Sequence, residues 1–119
     1  MLGVCLGQQA LGEVAGPPCG GPPAHARQGG RHRTTGFRPL AGRPTPRQAV
    51  TRYHSLVLEA GTLPAVARPL AVSADAHREL MALRHATLPL YGVQFHPEAL
   101  LTTHGLRWLA NWLRCCNIA

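Results

Sequence analysis

An α/β fold is what this 119-residue chain predicts, on three observations. A short apolar run at the start breaks at a Gly-x-Cys-x-Gly turn and passes straight into a helical stretch. Several strand-like runs fill the second half. The chain then closes on a second, amphipathic helix. Strands alternating with helices at both ends point to an α/β class.

In chain order, Met1 to Val4 reads as the end of a buried strand, and Leu6 to Val14 (LGQQALGEV) as a helix with Leu6, Ala10 and Leu11 near one face. Residues 16–47 change character. Seven Gly, seven Pro and six Arg occur there with no Asp or Glu, and neither a helical nor a strand period is visible. The expectation for 16–47 is an irregular loop inside one domain spanning 1–119, although so long a loop in a compact domain is unusual. Tyr53 to Glu59 (YHSLVLE) and Leu70 to Ser73 read as strands, the latter followed by a turn at Ala74-Asp75. Leu80 to His85 and Tyr91 to Phe95 read as a strand pair around Ala86-Thr87-Leu88-Pro89. Leu106 to Arg114 is the clearest helix, because Leu106, Leu109, Ala110 and Leu113 follow the i, i+3, i+4, i+7 rule. Trp108 and Trp112 sit on an adjacent face as packing residues, and Thr102 or Thr103 is placed to cap the helix.

Composition narrows the function classes. The net charge is +7 and all twelve basic residues are Arg. A basic chain suggests a nucleic-acid partner, but these arginines do not alternate with aromatics as a stacking platform requires. GC-rich coding, which favours Arg, Ala, Gly and Pro together, accounts for the bias, so no nucleic-acid partner is expected. No stretch reaches the roughly 18 apolar residues of a membrane span, and no basic-then-apolar leader opens the chain. The expectation is a cytosolic (cytoplasmic) protein. The four cysteines, Cys5, Cys19, Cys115 and Cys116, lack the spacing of a disulfide framework. The histidines are scattered without a Cys-x-x-Cys, so no metal site is expected.

Two short words carry the chemistry. Gly3-Val4-Cys5-Leu6-Gly7 has the form of a nucleophile elbow, a sharp strand-to-helix turn. Flanking glycines suit a crowded, strained backbone where a Cβ collides. The helix N-terminus favours a thiolate on Cys5, and the Leu6 N–H is placed to donate to a tetrahedral oxyanion. Alone, that word fits a small buried cysteine at a strand end equally well. Gln94-Phe95-His96-Pro97-Glu98 tips the balance. It follows a strand, and functional groups in open α/β sheets gather beyond the carboxyl ends of strands. His96 can take the thiol proton while Glu98 holds the ring and its tautomer.

With these words in place, the chain resembles the class I (triad) glutamine amidotransferases, and within them the glutaminase subunits of anthranilate and aminodeoxychorismate synthases. The resemblance rests on GVCLGQQALGEVAG (Gly3–Gly16), TRYHSLVLE (Thr51–Glu59), ELMALRHATLPLYGVQFHPEALLTTHG (Glu79–Gly105) and LRWLANWL (Leu106–Leu113). It implies an open sheet flanked by helices, of which this chain carries the C-terminal part only. It implies that Cys5 attacks the glutamine side-chain amide, that His96 moves the protons and that Glu98 orients it. Gln9, Ser55 and Leu56 match positions that contact glutamine, the last two mainly through backbone; Tyr53 and His54 receive no chemical role. No cofactor is implied. The partner implied is a chorismate-utilising synthase subunit that takes the ammonia, in either tryptophan or folate biosynthesis.

Departures from the family pattern are Gln8 where His is usual, Ala99 where Ser is usual and Thr103 where Glu is usual. The larger departure is upstream. The family's leading strands and its Gly-Pro-Gly type loop, the source of a second oxyanion donor, have no counterpart here. The alternative reading is therefore an inactive truncated or frameshifted remnant, with residues 16–47 out of frame. On either reading the 119 residues alone are expected to turn glutamine over very slowly.

Overall fold

The computed structural model describes residues 1–14, 26–28, 34–39, 48–51, 53, 56–74 and 76–117. Its elements run β1 (Leu2–Val4), α1 (Leu6–Val14), β2 (Ala26–Gln28), β3 (Thr34–Pro39), β4 (Gln48–Thr51), β5 (Leu56–Leu58), a 3₁₀ turn (Ala60–Thr62), β6 (Ala67–Ser73), β7 (Leu80–His85), β8 (Tyr91–Val93) and α2 (Gly105–Cys115). Among the described residues, six strands form one open sheet in the order β1-β8-β7-β6-β3-β4, and β2 pairs with β5 in a second, small sheet. In these sheets β1 and β8 run parallel, and the other neighbours are antiparallel.

Two stretches of the segment expected to be irregular are strands. β3 is held on one side by β4 and on the other by β6, with Phe37 opposite both Gln48 and Ser73. β2 pairs Arg27 with Val57. Ladder hydrogen bonds belong to the backbone, so flanking strands can impose extended structure on a sequence with weak strand preference. His54, Ser55, Asp75 and Cys19 lie outside the described residues.

The strand pair read around residues 86–89 is present. β7 and β8 are antiparallel, and the His85 N–H donates to the Leu90 carbonyl at 2.8 Å. The His85 ring belongs to that turn: its Nδ1 accepts the N–H groups of Thr87 (3.2 Å) and Leu88 (3.0 Å). β6 reaches further back than Leu70 and shifts register between Pro69 and Ala71, where a proline cannot donate to the ladder. Leu80 to Leu83 are all buried, as a strand covered on both faces requires. The main core joins Val50, Ala71, Met81, Ala82, Val93 and Phe95, with Trp108 of α2 packed against it. The rings of Phe95 and Trp108 meet edge to face, 5.7 Å between centroids.

The first helix buries a face other than the one its apolar residues suggest, and the second leaves one leucine of its expected face exposed. In α1 Leu6 is 74% exposed and Ala10 is exposed, while Gln8, Gln9 and Gly12 face inward. The reason is proximity. A Cβ on Gly3 would lie 2.5 Å from the Gly7 carbonyl oxygen, so strand and helix touch backbone to backbone. Inward glutamines then bond to backbone carbonyls across the gap. Gly7 itself has open space where a Cβ would go, so crowding explains the first glycine of the elbow and not the second. In α2 Leu106 is exposed, while Leu109, Ala110 and Leu113 are half-buried as expected, together with Trp108 and Trp112. Neither threonine caps α2. The residue before it is His104, left-handed at φ 61° and with no side-chain cap bond. Thr102 instead accepts the Thr51 N–H (3.0 Å) and donates to the His96 carbonyl (2.6 Å).

Candidate active site

The parallel pairing of β1 and β8 creates the site. Val4 lies opposite Val93, so Cys5 and the Gln94–Glu98 segment leave the sheet from adjacent strands at the same end. The Cys5 N–H donates to the Val93 carbonyl at 2.8 Å, which extends the pairing one residue further. Cys5 then turns sharply, at φ 53°. A non-glycine residue in that region costs on the order of 1–3 kcal/mol and concentrates at functional sites. The Cys5 carbonyl accepts the N–H groups of Gln8 (3.1 Å) and Gln9 (3.2 Å), making Cys5 the residue that caps α1. Leu6 is the first helical residue, and such an N–H has no acceptor within its own helix. The thiol is free and half-buried.

His96 and Glu98 come together as expected. His96 Nδ1 lies 2.7 Å from Glu98 Oε1. A carboxylate only accepts, so Nδ1 carries the proton and Nε2 keeps its lone pair for a base's work. Partial burial pushes the Glu98 carboxyl up, but the His96 hydrogen bond, one from its own backbone and the His96 charge outweigh it. The carboxyl is held below its ordinary value. The backbone of this turn is pinned as well: the His96 N–H donates to the Thr51 carbonyl at 2.9 Å. Among the described residues, no hydrogen bond joins Cys5 to His96; the side chain that meets the sulfur is Gln94. Catalytic hydrogen bonds are commonly loose before substrate binds.

Of the residues expected to bind glutamine, Gln9 is buried. Its Nε2 donates to the Leu56 carbonyl (2.8 Å) and to Gln94 Oε1 (3.1 Å). The Leu56 backbone is therefore beside the site while its side chain is partly exposed. Ser55 lies outside the described residues.

Two neighbours escaped the sequence reading. Gln94 is fully buried and its Nε2 is 3.6 Å from Cys5 Sγ. The exposed Tyr53 ring lies 5.2 Å from the His96 ring, tilted 56°. Nothing local in the sequence marked either contact, since both join residues far apart along the chain. Among the described residues, no group of three or more His, Cys, Asp or Glu could hold a metal, and no helix is long and apolar enough to cross a membrane.

The family model for glutamine amidotransferase class-I matches residues 1–116, running through the Gly/Pro/Arg-rich segment. Anthranilate synthase component 2 of Mycobacterium tuberculosis is 45% identical over 120 residues, covering 98% of this chain and 50% of that relative. Aminodeoxychorismate synthase component 2 of Serratia marcescens is 46% identical over 120 residues, covering 95% of this chain and 60% of the relative. The chain spans about half the length of the curated relatives it matches. A Thermoplasma acidophilum protein described as a GMP synthase component, solved by crystallography, shares the fold. The TM-score is 0.76 at 24% identity, over 98% of this chain and 56% of that one. With the family model and the relatives in agreement, the chain belongs to the class-I glutamine amidotransferases.

Proposed function

We propose that this chain contributes the glutamine-hydrolysing site of a cytosolic synthase that aminates chorismate. The observation that carries the reading is the elbow: a cysteine at positive φ on a helix N-terminus, leaving the sheet beside a paired His96 and Glu98. The names of the relatives support the substrate class and the synthase partner.

In this reading the Cys5 thiol passes its proton to His96 Nε2, and the sulfur attacks the side-chain carbonyl carbon of glutamine. The Leu6 N–H donates to the resulting oxyanion. Collapse breaks the C–N bond, His96 returns its proton to the leaving nitrogen, and ammonia departs from a γ-glutamyl thioester. Water then gives a proton to His96 and attacks the thioester. Glutamate leaves and the thiol regains its proton from His96. Glu98 keeps the imidazole in the productive tautomer throughout. Ammonia passes to the chorismate-utilising partner, and no cofactor enters.

The test is covalent capture. A diazoketone analogue of glutamine is expected to add to Cys5, with glutamine protecting Cys5 and leaving the exposed Cys115 unprotected. Cys5→Ser should abolish the adduct. In complex with the synthase partner, Cys5→Ser should lose glutamine-dependent amination and keep ammonia-dependent amination. Equal labelling of Cys5 and Cys115 without protection by glutamine would overturn the reading.

A further inference from the structure

We propose that Gln94 is a further catalytic residue, whose side-chain amide donates to the Cys5 sulfur and stabilises its thiolate, with Gln9 as the positioning residue that sets the sense of that amide. The proposal rests on Cys5 being the nucleophile of the glutaminase reading.

The argument is one of direction. The Leu56 carbonyl can only accept, so the Gln9 amide must turn its nitrogen toward it, at 2.8 Å. That nitrogen has a second proton, and Gln94 Oε1 receives it at 3.1 Å. With its oxygen so engaged, Gln94 has its nitrogen at the Cys5 sulfur, 3.6 Å away. Turning the Gln94 amide over would set nitrogen against nitrogen and oxygen against sulfur lone pairs, in a place water cannot reach. Gln94 is wholly buried and Gln9 nearly so.

The backbone fixes the spacing. The Gln94 N–H is held by the Met81 carbonyl at 2.8 Å, and the Cys5 N–H by the Val93 carbonyl at 2.8 Å. The face is right as well. Gly92, two residues before Gln94, lies under the side chain of Gln8 on α1, so Gln94 projects toward the same helix. A neutral thiol accepts a hydrogen bond weakly, and a thiolate strongly. The donor therefore favours the charged form that attacks. It also remains aimed at the sulfur while His96 handles the proton, a role neither Leu6 nor His96 performs.

The experiment is peptide-resolved alkylation of Cys5 by iodoacetamide against pH, in the full chain. Gln94→Leu keeps length and removes the donor; Gln94→Glu keeps the acceptor for Gln9 and replaces the donor with a carboxylate. Gln94→Leu is expected to move the Cys5 profile upward by about one pH unit, about tenfold slower alkylation at neutral pH. Gln94→Glu should move it further, and Gln9→Leu less, in the same direction. Cys115 should react unchanged in all of them. A Gln94→Leu protein that melts normally and leaves the Cys5 profile in place overturns the proposal.

If that variant does not fold, the wild-type chain supplies the test through nitrogen-15 NMR. A glutamine side-chain amide should titrate with Cys5 ionisation and stop titrating in Cys5→Ser; none doing so also overturns it. These readouts use no glutamine. Normal capture of the glutamine analogue with an unmoved alkylation profile would sink the Gln94 role and leave the glutaminase reading standing. A moved profile without capture would sink the glutaminase reading and leave only the Gln94 hydrogen bond to the Cys5 thiolate standing.

Discussion

At Glu98 desolvation and hydrogen bonding pull in opposite directions, and hydrogen bonding wins, so the folded carboxyl titrates below its ordinary value. A depressed carboxylate contributes stability that is present above its unfolded pKa, about 4.3, and is lost as pH falls through the folded value. Glutamine turnover should fall through the same acidic window, because a protonated Glu98 no longer holds the imidazole. Glu98→Gln should flatten the acid side of the melting-temperature profile; the carboxyl is exposed, so the change is expected to be small. An identical acid limb in both proteins would rule the pair out as its cause. His96→Ala should lower turnover about 10²–10⁴-fold, the range for a lost general base, and Glu98→Ala by less, since an orienter can be partly spared. Steady-state glutamate release measures both. The proposed triad is legible because its three side chains stand in two compact words. Gln94 stands in one of those words and is not legible, because a glutamine before Phe95 gives no local sign that it turns toward a cysteine 89 positions away.

The elements show how far periodicity reaches. The bounds of α1 match its sequence reading, and those of α2 differ by a residue at each end; the inward face of α1 differs from the expected one, while in α2 only Leu106 departs from it. Periodicity locates a helix; the face it buries depends on what lies beneath. Under α1 lies a glycine-lined strand that admits close approach. Under α2 lies Phe95, which selects Trp108. The start of α2 depends on a second close approach: a Cβ on Gly105 would strike the Pro97 carbonyl. Gly105→Ala should therefore destabilise the protein by about 1–3 kcal/mol, the usual cost of overpacking. It should also slow turnover, because Pro97 sits between His96 and Glu98. Chemical denaturation and glutaminase assays measure the two effects; a stable variant with normal turnover would show that the turn can give way. Trp112 offers the opposite case. Its Nε1 is buried with no hydrogen-bond partner among the described residues, beside an apolar cavity of about 180 Å³. Trp112→Phe removes that unpaired donor but also some packing, so stability should shift little in chemical denaturation, within about 1 kcal/mol.

At the scale of the molecule, the β6-β7-β8 run links both functional words to the core. β7 is covered on both faces and hydrogen-bonded on both edges. Its amides should exchange most slowly, with those of α1 exchanging sooner, since α1 is a single short helix lying on the sheet. Slower exchange in α1 than in β7, read by mass spectrometry, would contradict that order of packing. The sequence by itself determined the class of fold, the approximate positions of the strands in the second half, both helices and the two words that hold Cys5, His96 and Glu98. Each of these depends on neighbours a few positions apart, where periodicity and motif spacing report directly. Tertiary structure alone decided that β3 and β2 are strands, that Thr102 braces the His96 turn instead of capping α2, that Tyr53 stands by His96, and that Gln94 faces Cys5. Those arrangements come from ladder bonds and side-chain contacts between residues mostly far apart along the chain, which exist only once the parallel pairing of β1 and β8 and the antiparallel pairing around it have brought them together.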